Sequence, residues 1–239
     1  MNYRTKEITL NNMSLGEEFI FPFTDKSVHI IFGNKNLEDN FEENNLEFRY
    51  LKQIHSPKII ESTVVNNVEA DGHFTTKDNI ALAIVTADCL PIFVFNQDFI
   101  FALHAGWRGL KDKIILNLAR FIHEYKISPN SLCVLVGPHI RNDDFEVDVN
   151  VGMELFNSLS GIKEGFRKHK SKVFKNTHPN RNKRYVDLSY LALQQFLALE
   201  IPEKNIFITP QSTFKDKTYN SYRRDGKTGR NLSFAYSSV

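Results

Sequence analysis

The middle of the chain alternates between short apolar runs and polar breaks, and the runs are the length of buried strands. Residues 80–85 are continuously apolar, bounded by a polar turn, and far too short to span a bilayer. They lead into Thr86-Ala87-Asp88-Cys89. A second run, residues 91–95, breaks at Asn96-Gln97-Asp98, and a third, residues 99–103, ends at His104. Three consecutive strands place Cys89 and His104 at strand ends. Residues 28–32 read as another strand, stopped by the turn signal Gly33-Asn34. Residues 37–47 are acidic and Asn-rich and read as a surface loop or a poorly formed helix.

Helical spacing is clearest over residues 110–125. Leu110, Ile114, Ile115, Leu118, Phe121, Ile122 and Tyr125 share one face, and His123 beside them reads as structural or exposed. Residues 132–136 form a strand that Gly137-Pro138 stops, with Cys133 as a small core residue. Residues 149–159 read as a short helix. Asp187 is placed to cap a helix over 188–199, with Pro202 after it, and residues 205–209 read as a strand. Short consecutive strands with a few helices give an α+β fold, treated as a single domain over residues 1–239.

Composition narrows the function classes. The chain has 239 residues, 41% hydrophobic and 24% charged, an ordinary globular balance able to bury a sizeable core. A net charge of +2 gives no strong field for nucleic acid. The first ten residues hold no apolar signal region and no run reaches membrane-spanning length, so a cytoplasmic protein with no membrane partner is expected. Residues 161–184 are basic: Lys163, Arg167, Lys168, Lys170, Lys172, Lys175, Arg181, Lys183 and Arg184. No aromatic platform interleaves with these charges, so a solvated loop is expected over an anion-binding surface. Only two cysteines occur, Cys89 and Cys133, and no disulfide between them is expected in a reducing compartment.

The chemistry concentrates where the strands end. Asp88, Cys89, His104 and Arg108 bring a carboxylate, a thiol, an imidazole and a guanidinium to neighbouring strand termini. The stretch Ala105-Gly106-Trp107-Arg108-Gly109 sets the single Trp between two glycines, which permit tight turns and close ligand approach. The motifs Thr86-Ala87-Asp88-Cys89-Leu90-Pro91, His104-Ala105-Gly106-Trp107-Arg108-Gly109 and Gln53-Ile54-His55-Ser56 resemble the three signatures of the laccase-domain family. That family is also called bacterial purine nucleoside phosphorylase, polyphenol oxidase and peptidoglycan-editing factor. Gly137-Pro138-His139-Ile140, Ser221-Tyr222-Arg223-Arg224-Asp225-Gly226 and Thr228-Gly229-Arg230 resemble further motifs, in order along the chain.

The resemblance implies a layered fold with sheets inside and helices outside. It implies zinc on His55, Cys89 and His104, a nitrogen and sulfur set that leaves a fourth position for water. It implies purine nucleosides and phosphate as substrates. Family activities are phosphorolysis of adenosine, inosine and methylthioadenosine, and adenosine deamination; zinc supports deamination by acidifying water for attack at C6. Cys89, His104 and Arg108 are then the catalytic candidates. Arg108, Arg223 and Arg224 are candidates for phosphate, His139 for the substrate pocket, and Asp71 for a supporting role behind the metal. Two departures stand out. No Asn-Arg pair precedes Gln53, with Arg49 the nearest arginine, and Ser212-Thr213 stands where the family often has Cys-Thr.

Three alternatives compete. A copper polyphenol oxidase would use His₂Cys, but Met1, Met13 and Met153 lie far in sequence from the motifs and the eight histidines include no His-x-His pair. A cysteine- or zinc-dependent amide hydrolase acting on peptidoglycan precursors would use Cys89 and His104 as nucleophile and base. A non-catalytic binding module is the fourth reading.

Overall fold

The computed structural model describes residues 3–40, 46–62, 66–162, 166–174 and 178–239. Two six-stranded sheets carry the architecture. The first runs, edge to edge, Arg4–Leu10, Met13–Pro22, Ser27–Gly33, Asn231–Ser238, Ile80–Thr86 and Glu47–Arg49. Its pairs are antiparallel except the last, which is parallel. The second runs Ile206–Ile208, Cys133–Val136, Leu90–Phe95, Ile100–Ala105, Gly72–Thr75 and Ile59–Glu61. It is antiparallel in the centre and parallel at both edges.

The apolar runs are continuous because the central strands are covered on both faces. Between the sheets, Phe21, Ile30, Phe32 and Leu82 meet Phe93, Phe95 and Leu135. The Phe21 and Phe95 ring centroids are 4.6 Å apart. On the far face of the second sheet, Ile92, Val94, Phe101 and Leu103 pack against Leu110, Ile114, Phe121, Leu191 and Phe196. Each such side chain contributes roughly 1.5–3 kcal/mol on burial. The expected layering is therefore present: sheets inside, with the main helices over the second sheet. Among the described residues no helix is long and apolar enough to cross a membrane.

The three consecutive strands divide between the two sheets. The strand Ile80–Thr86 lies in the first sheet, whereas Leu90–Phe95 and Ile100–Ala105 form a hairpin in the second. The chain thus crosses between sheets at residues 87–89, and Cys89 sits on that crossing. Periodicity along one strand carries no information about which sheet receives it.

The helix expected over 110–125 is two helices, Trp107–Lys111 and Leu118–Glu124. Lys113 adopts a left-handed φ of 64°. Lys113 N donates to Leu110 O at 3.1 Å and Ile114 N to Gly109 O at 2.9 Å, a Schellman stop. The apolar face survives the break, because Leu110, Ile114, Ile115, Leu118 and Phe121 are all buried, while His123 is exposed. The helix Val149–Asn157 and the strand Cys133–Val136 match expectation, and Cys133 is buried. Asp187 caps Leu188–Ala198 by accepting from Tyr190 N at 2.9 Å.

Two segments expected to be largely irregular contain short regular elements among the described residues. Residues 37–47 contain the four-residue helix Leu37–Asn40 and the start of the strand Glu47–Arg49. The basic segment contains the helix Phe166–Val173 and the strand Lys183–Tyr185, which pairs with Glu146–Asp148; Lys163 and Lys175 lie outside the described residues.

Candidate metal centre

The centre is assembled around one buried carboxylate. Gln53 holds the approach: its amide donates to Val85 O at 2.8 Å and accepts from Val85 N at 2.9 Å, fixing the 53–56 turn to the end of a first-sheet strand. His55 follows in a left-handed conformation, φ 61°. Asp71, fully buried, accepts from His55 N at 2.9 Å, Ser56 N at 2.6 Å and Ser56 Oγ at 2.8 Å. The same carboxylate accepts from His104 Nδ1 at 2.7 Å, which leaves the His104 Nε2 lone pair free for a ligand. Asp71 also offers its carbonyl to His104 N at 2.7 Å. One aspartate therefore orients both histidines.

Cys89 comes from the other strand at the same open end of the hairpin. Leu90 pairs with Ala105 and Pro91 with His104, so Cys89 lies just beyond the pair that presents His104. The His55 and His104 rings meet edge-on with centroids 4.7 Å apart. The ligand atoms of His55, Cys89 and His104 all lie within 4.8 Å of one another. Gly106 makes this possible, because a Cβ there would sit 2.8 Å from Cys89 Sγ and 3.1 Å from His55 Cδ2.

The electrostatics favour a charged cluster. Burial pushes the Cys89 thiol up, but the His104 and His55 rings more than offset this and lower it to about 6. Burial works against charge on His104, yet the Cys89 sulfur and Asp71 outweigh it and raise it to about 9. Burial likewise opposes ionised Asp71, and its bonds to His104 and Ser56 bring it down to about 2. Two imidazoles and a ready thiolate, converging beside a backbone position that tolerates no side chain, fit zinc by donor type.

The centre opens into a cleft of about 530 Å³. Arg108, Arg223 and Arg230 line it, with Trp107, Phe145 and Tyr222 as its aromatic surfaces. The Arg108 guanidinium lies 4.3 Å from the Trp107 ring and that of Arg223 5.3 Å from Phe145. The structure thus brings His55, Cys89, His104, Arg108 and Arg223 together.

Two sequence candidates lie outside this cleft. Arg224 does not line the cleft; its guanidinium donates to the carbonyls of Thr213 at 2.8 Å, Phe214 at 2.9 Å and Tyr219 at 2.7 Å, and pairs with Asp225. It ties its own loop. His139 is fully buried outside the cleft, donating from Nδ1 to Gly137 O at 2.7 Å and accepting at Nε2 from Ser189 Oγ at 2.6 Å. Arg49 is buried on its edge strand beside Glu47, away from the cleft. Sequence reasoning underweighted Asp71, whose turn neighbours hide its 33-residue reach to His104. It quoted Arg230 and Tyr222 only as parts of motifs, and Phe145 carried no signal beyond being aromatic.

Comparison with known proteins bears on the family and the fold. Residues 17–238 match the family described as multi-copper polyphenol oxidoreductase laccase. The chain is 30% identical over 197 residues to a purine nucleoside phosphorylase of Xylella fastidiosa, covering 78% of this chain and 71% of that protein. It is 37% identical over 102 residues to one of Rickettsia conorii, covering 41% of this chain and 42% of that protein, so this match spans less than half of the relative. The fold matches a hypothetical protein, YfiH, of Bacillus licheniformis with a TM-score of 0.75 at 19% identity, over 92% of this chain and 96% of that one. With its motifs, layers and matched length in agreement, the chain belongs to the multi-copper polyphenol oxidoreductase laccase family.

Proposed function

We propose that the protein is a zinc-dependent enzyme of purine nucleosides, using phosphate as a second substrate. The observation that carries this reading is the convergence of His55, Cys89 and His104 on the same cleft as three arginines and three aromatic rings. The relatives named purine nucleoside phosphorylase support the substrate class. Both sheets contribute to the cleft, Thr86 from the first and His104 from the second, so we take the chain to work as one domain. Cys89 and Cys133 are not joined by a disulfide, which fits a cytoplasmic, reducing setting.

The residues have distinct roles. His55, Cys89 and His104 would hold the ion, with Asp71 fixing the His55 backbone and the His104 ring. Zinc held there supplies a Lewis acid and acidifies water at neutral pH. Trp107, Phe145 and Tyr222 offer faces on which a purine stacks. Among the described residues Arg108, Arg223 and Arg230 have no carboxylate partner, and they suit an anionic group. Zinc is favoured over a multi-copper centre by the donors. Among the described residues this is the one cluster of three or more metal-capable side chains. Of the other histidines, His29 pairs with Glu18, His178 with Glu146 and His139 with Ser189.

Incubating zinc-loaded protein with adenosine, with and without phosphate, tests the proposal. Adenine is expected when phosphate is present, and inosine without it. Neither product from a zinc-loaded sample would overturn the purine reading.

One observation favours a second reading. Cys89, His104 and Asp71 stand in the order nucleophile, base and orienting acid, with the thiol held at about 6. That is the layout of a cysteine amide hydrolase acting on peptidoglycan precursors. A zinc-bound thiolate is a poor nucleophile, so metal content separates the two readings.

A further inference from the structure

Asp88 precedes the metal-ligand candidate Cys89, yet its side chain turns to another part of the site. Its backbone is left-handed, φ 88°, a conformation that costs a non-glycine residue of order 1–3 kcal/mol and persists only where surrounding contacts enforce it. Those contacts join three distant segments. Oδ1 accepts from Thr213 Oγ1 at 2.7 Å, Oδ2 accepts from Arg223 N at 2.7 Å, and the carbonyl accepts from Ile140 N at 3.1 Å. Asp88 is 8% exposed and is the only carboxylate lining the cleft among the described residues.

Its acceptor atoms are thus engaged by a hydroxyl and a backbone N–H, and no cleft arginine uses them. Among the described residues the Arg223 guanidinium donates only at 3.4 Å to Asp144 O and lies over Phe145. Arg230 donates to the carbonyls of Thr228 and Gly229, and Arg108 lies over Trp107. Arg224, the neighbour that misses the cleft, is paired with Asp225. The one cleft carboxylate among the described residues thus makes no ion pair with a cleft arginine and instead fixes the backbone of the loop that supplies Arg223 and Arg230.

We propose that Asp88 is a positioning residue: it fixes the backbone of Arg223, so that Arg108, Arg223 and Arg230 form one phosphoryl-binding site beside the metal ligands. This rests on the purine nucleoside reading for its biological substrate but not for its test. The phosphoryl group has two sources, free phosphate as co-substrate or the phosphate of a nucleoside monophosphate.

The test is calorimetric binding of inorganic phosphate, adenosine and adenosine monophosphate to zinc-loaded wild type, Asp88→Ala, Asp88→Asn, Thr213→Val and Arg223→Gln. Wild type is expected to bind phosphate. Asp88→Ala and Arg223→Gln should each weaken it about tenfold, with zinc content and adenosine affinity unchanged. Asp88→Asn should restore phosphate binding to within about threefold of wild type, because an amide can accept from Arg223 N while donating to Thr213 Oγ1. Thr213→Val removes one anchor and should cost about threefold, which keeps the test open if Asp88→Ala does not fold. In turnover, KM for phosphate should rise while KM for adenosine stays fixed. Tighter binding of the monophosphate than of adenosine, lost in Arg223→Gln, assigns the site to a nucleotide; equal binding assigns it to free phosphate. Unchanged phosphate affinity in Asp88→Ala, joint loss of zinc and phosphate, or no phosphate binding by wild type would overturn the proposal. Loss of adenosine binding alone would count against the purine reading and leave the phosphoryl site standing.

Discussion

The two walls of the cleft are built differently. The metal wall stands on strand ends and a buried turn, and the Asp71 carboxylate fixes both histidines through five hydrogen bonds to the His55 turn and the His104 ring. The arginine wall comes largely from the 221–230 loop, where Arg223 and Arg230 are exposed and contact carbonyls and a ring. A preorganised wall suits chemistry that needs fixed donors, and an exposed one suits an anion that arrives and leaves. Substitutions in the first wall should therefore abolish function, and those in the second should change affinity.

The largest effects fall on the metal wall. Cys89→Ala and His104→Ala should each release zinc and lower kcat/KM by roughly 10³-fold or more, as for loss of any member of a unit acting together. Metal analysis beside steady-state kinetics checks this. Gly106→Ala should weaken zinc binding with every ligand intact, because its Cβ would crowd Cys89 Sγ. Retained zinc in that variant would break the claim of close packing.

Asp71→Ala should loosen zinc by about 10–100-fold, the usual effect of removing a partner behind a histidine ligand. A competing chelator titration measures it. On the other wall, Arg230→Gln should raise KM for phosphate several-fold and leave zinc bound. Arg224→Gln should leave that KM alone and destabilise the fold by about 1–3 kcal/mol, because four carbonyls lose their donor. Denaturant melts of both variants separate affinity from stability. A rise in KM from Arg224→Gln would erase the distinction between the two arginines.

The smallest effect is a pH dependence that belongs to neither wall. Burial lowers His73 to about 3, and burial together with Arg141 lowers His139 to about 3. In the unfolded chain both titrate near the ordinary 6.5, so between these values the unfolded state binds more protons. Stability should therefore fall as pH drops from about 6.5 toward 3, by roughly 1.4 kcal/mol per pH unit for each histidine. Melts of His139→Gln across that range should show a shallower slope.

The same contrast explains what could be read from sequence. His55, Cys89 and His104 were legible because their motifs are short and local, and the apolar runs marked the strands that present them. Asp71 was nearly invisible, since its partner is 33 residues away and its own surroundings read as a turn. Arg223 and Arg224 are adjacent in sequence and chemically identical, and only the loop's path sends one into the cleft and the other to carbonyls. The crossing at residues 87–89 was hidden for a similar reason: strand patterning fixes which residues are buried but leaves open which sheet they join. Lys113 ended a well-patterned helix through a backbone conformation that its side chain does not announce.

The measurement that bears most directly on the metal wall is elemental analysis of the purified wild-type protein, paired with activity on adenosine before and after chelation. About one zinc per chain is expected, with activity lost on chelation and restored by zinc. Zinc-free protein with full activity would contradict the account and leave Cys89, His104 and Asp71 as a nucleophile, its base and an orienting acid.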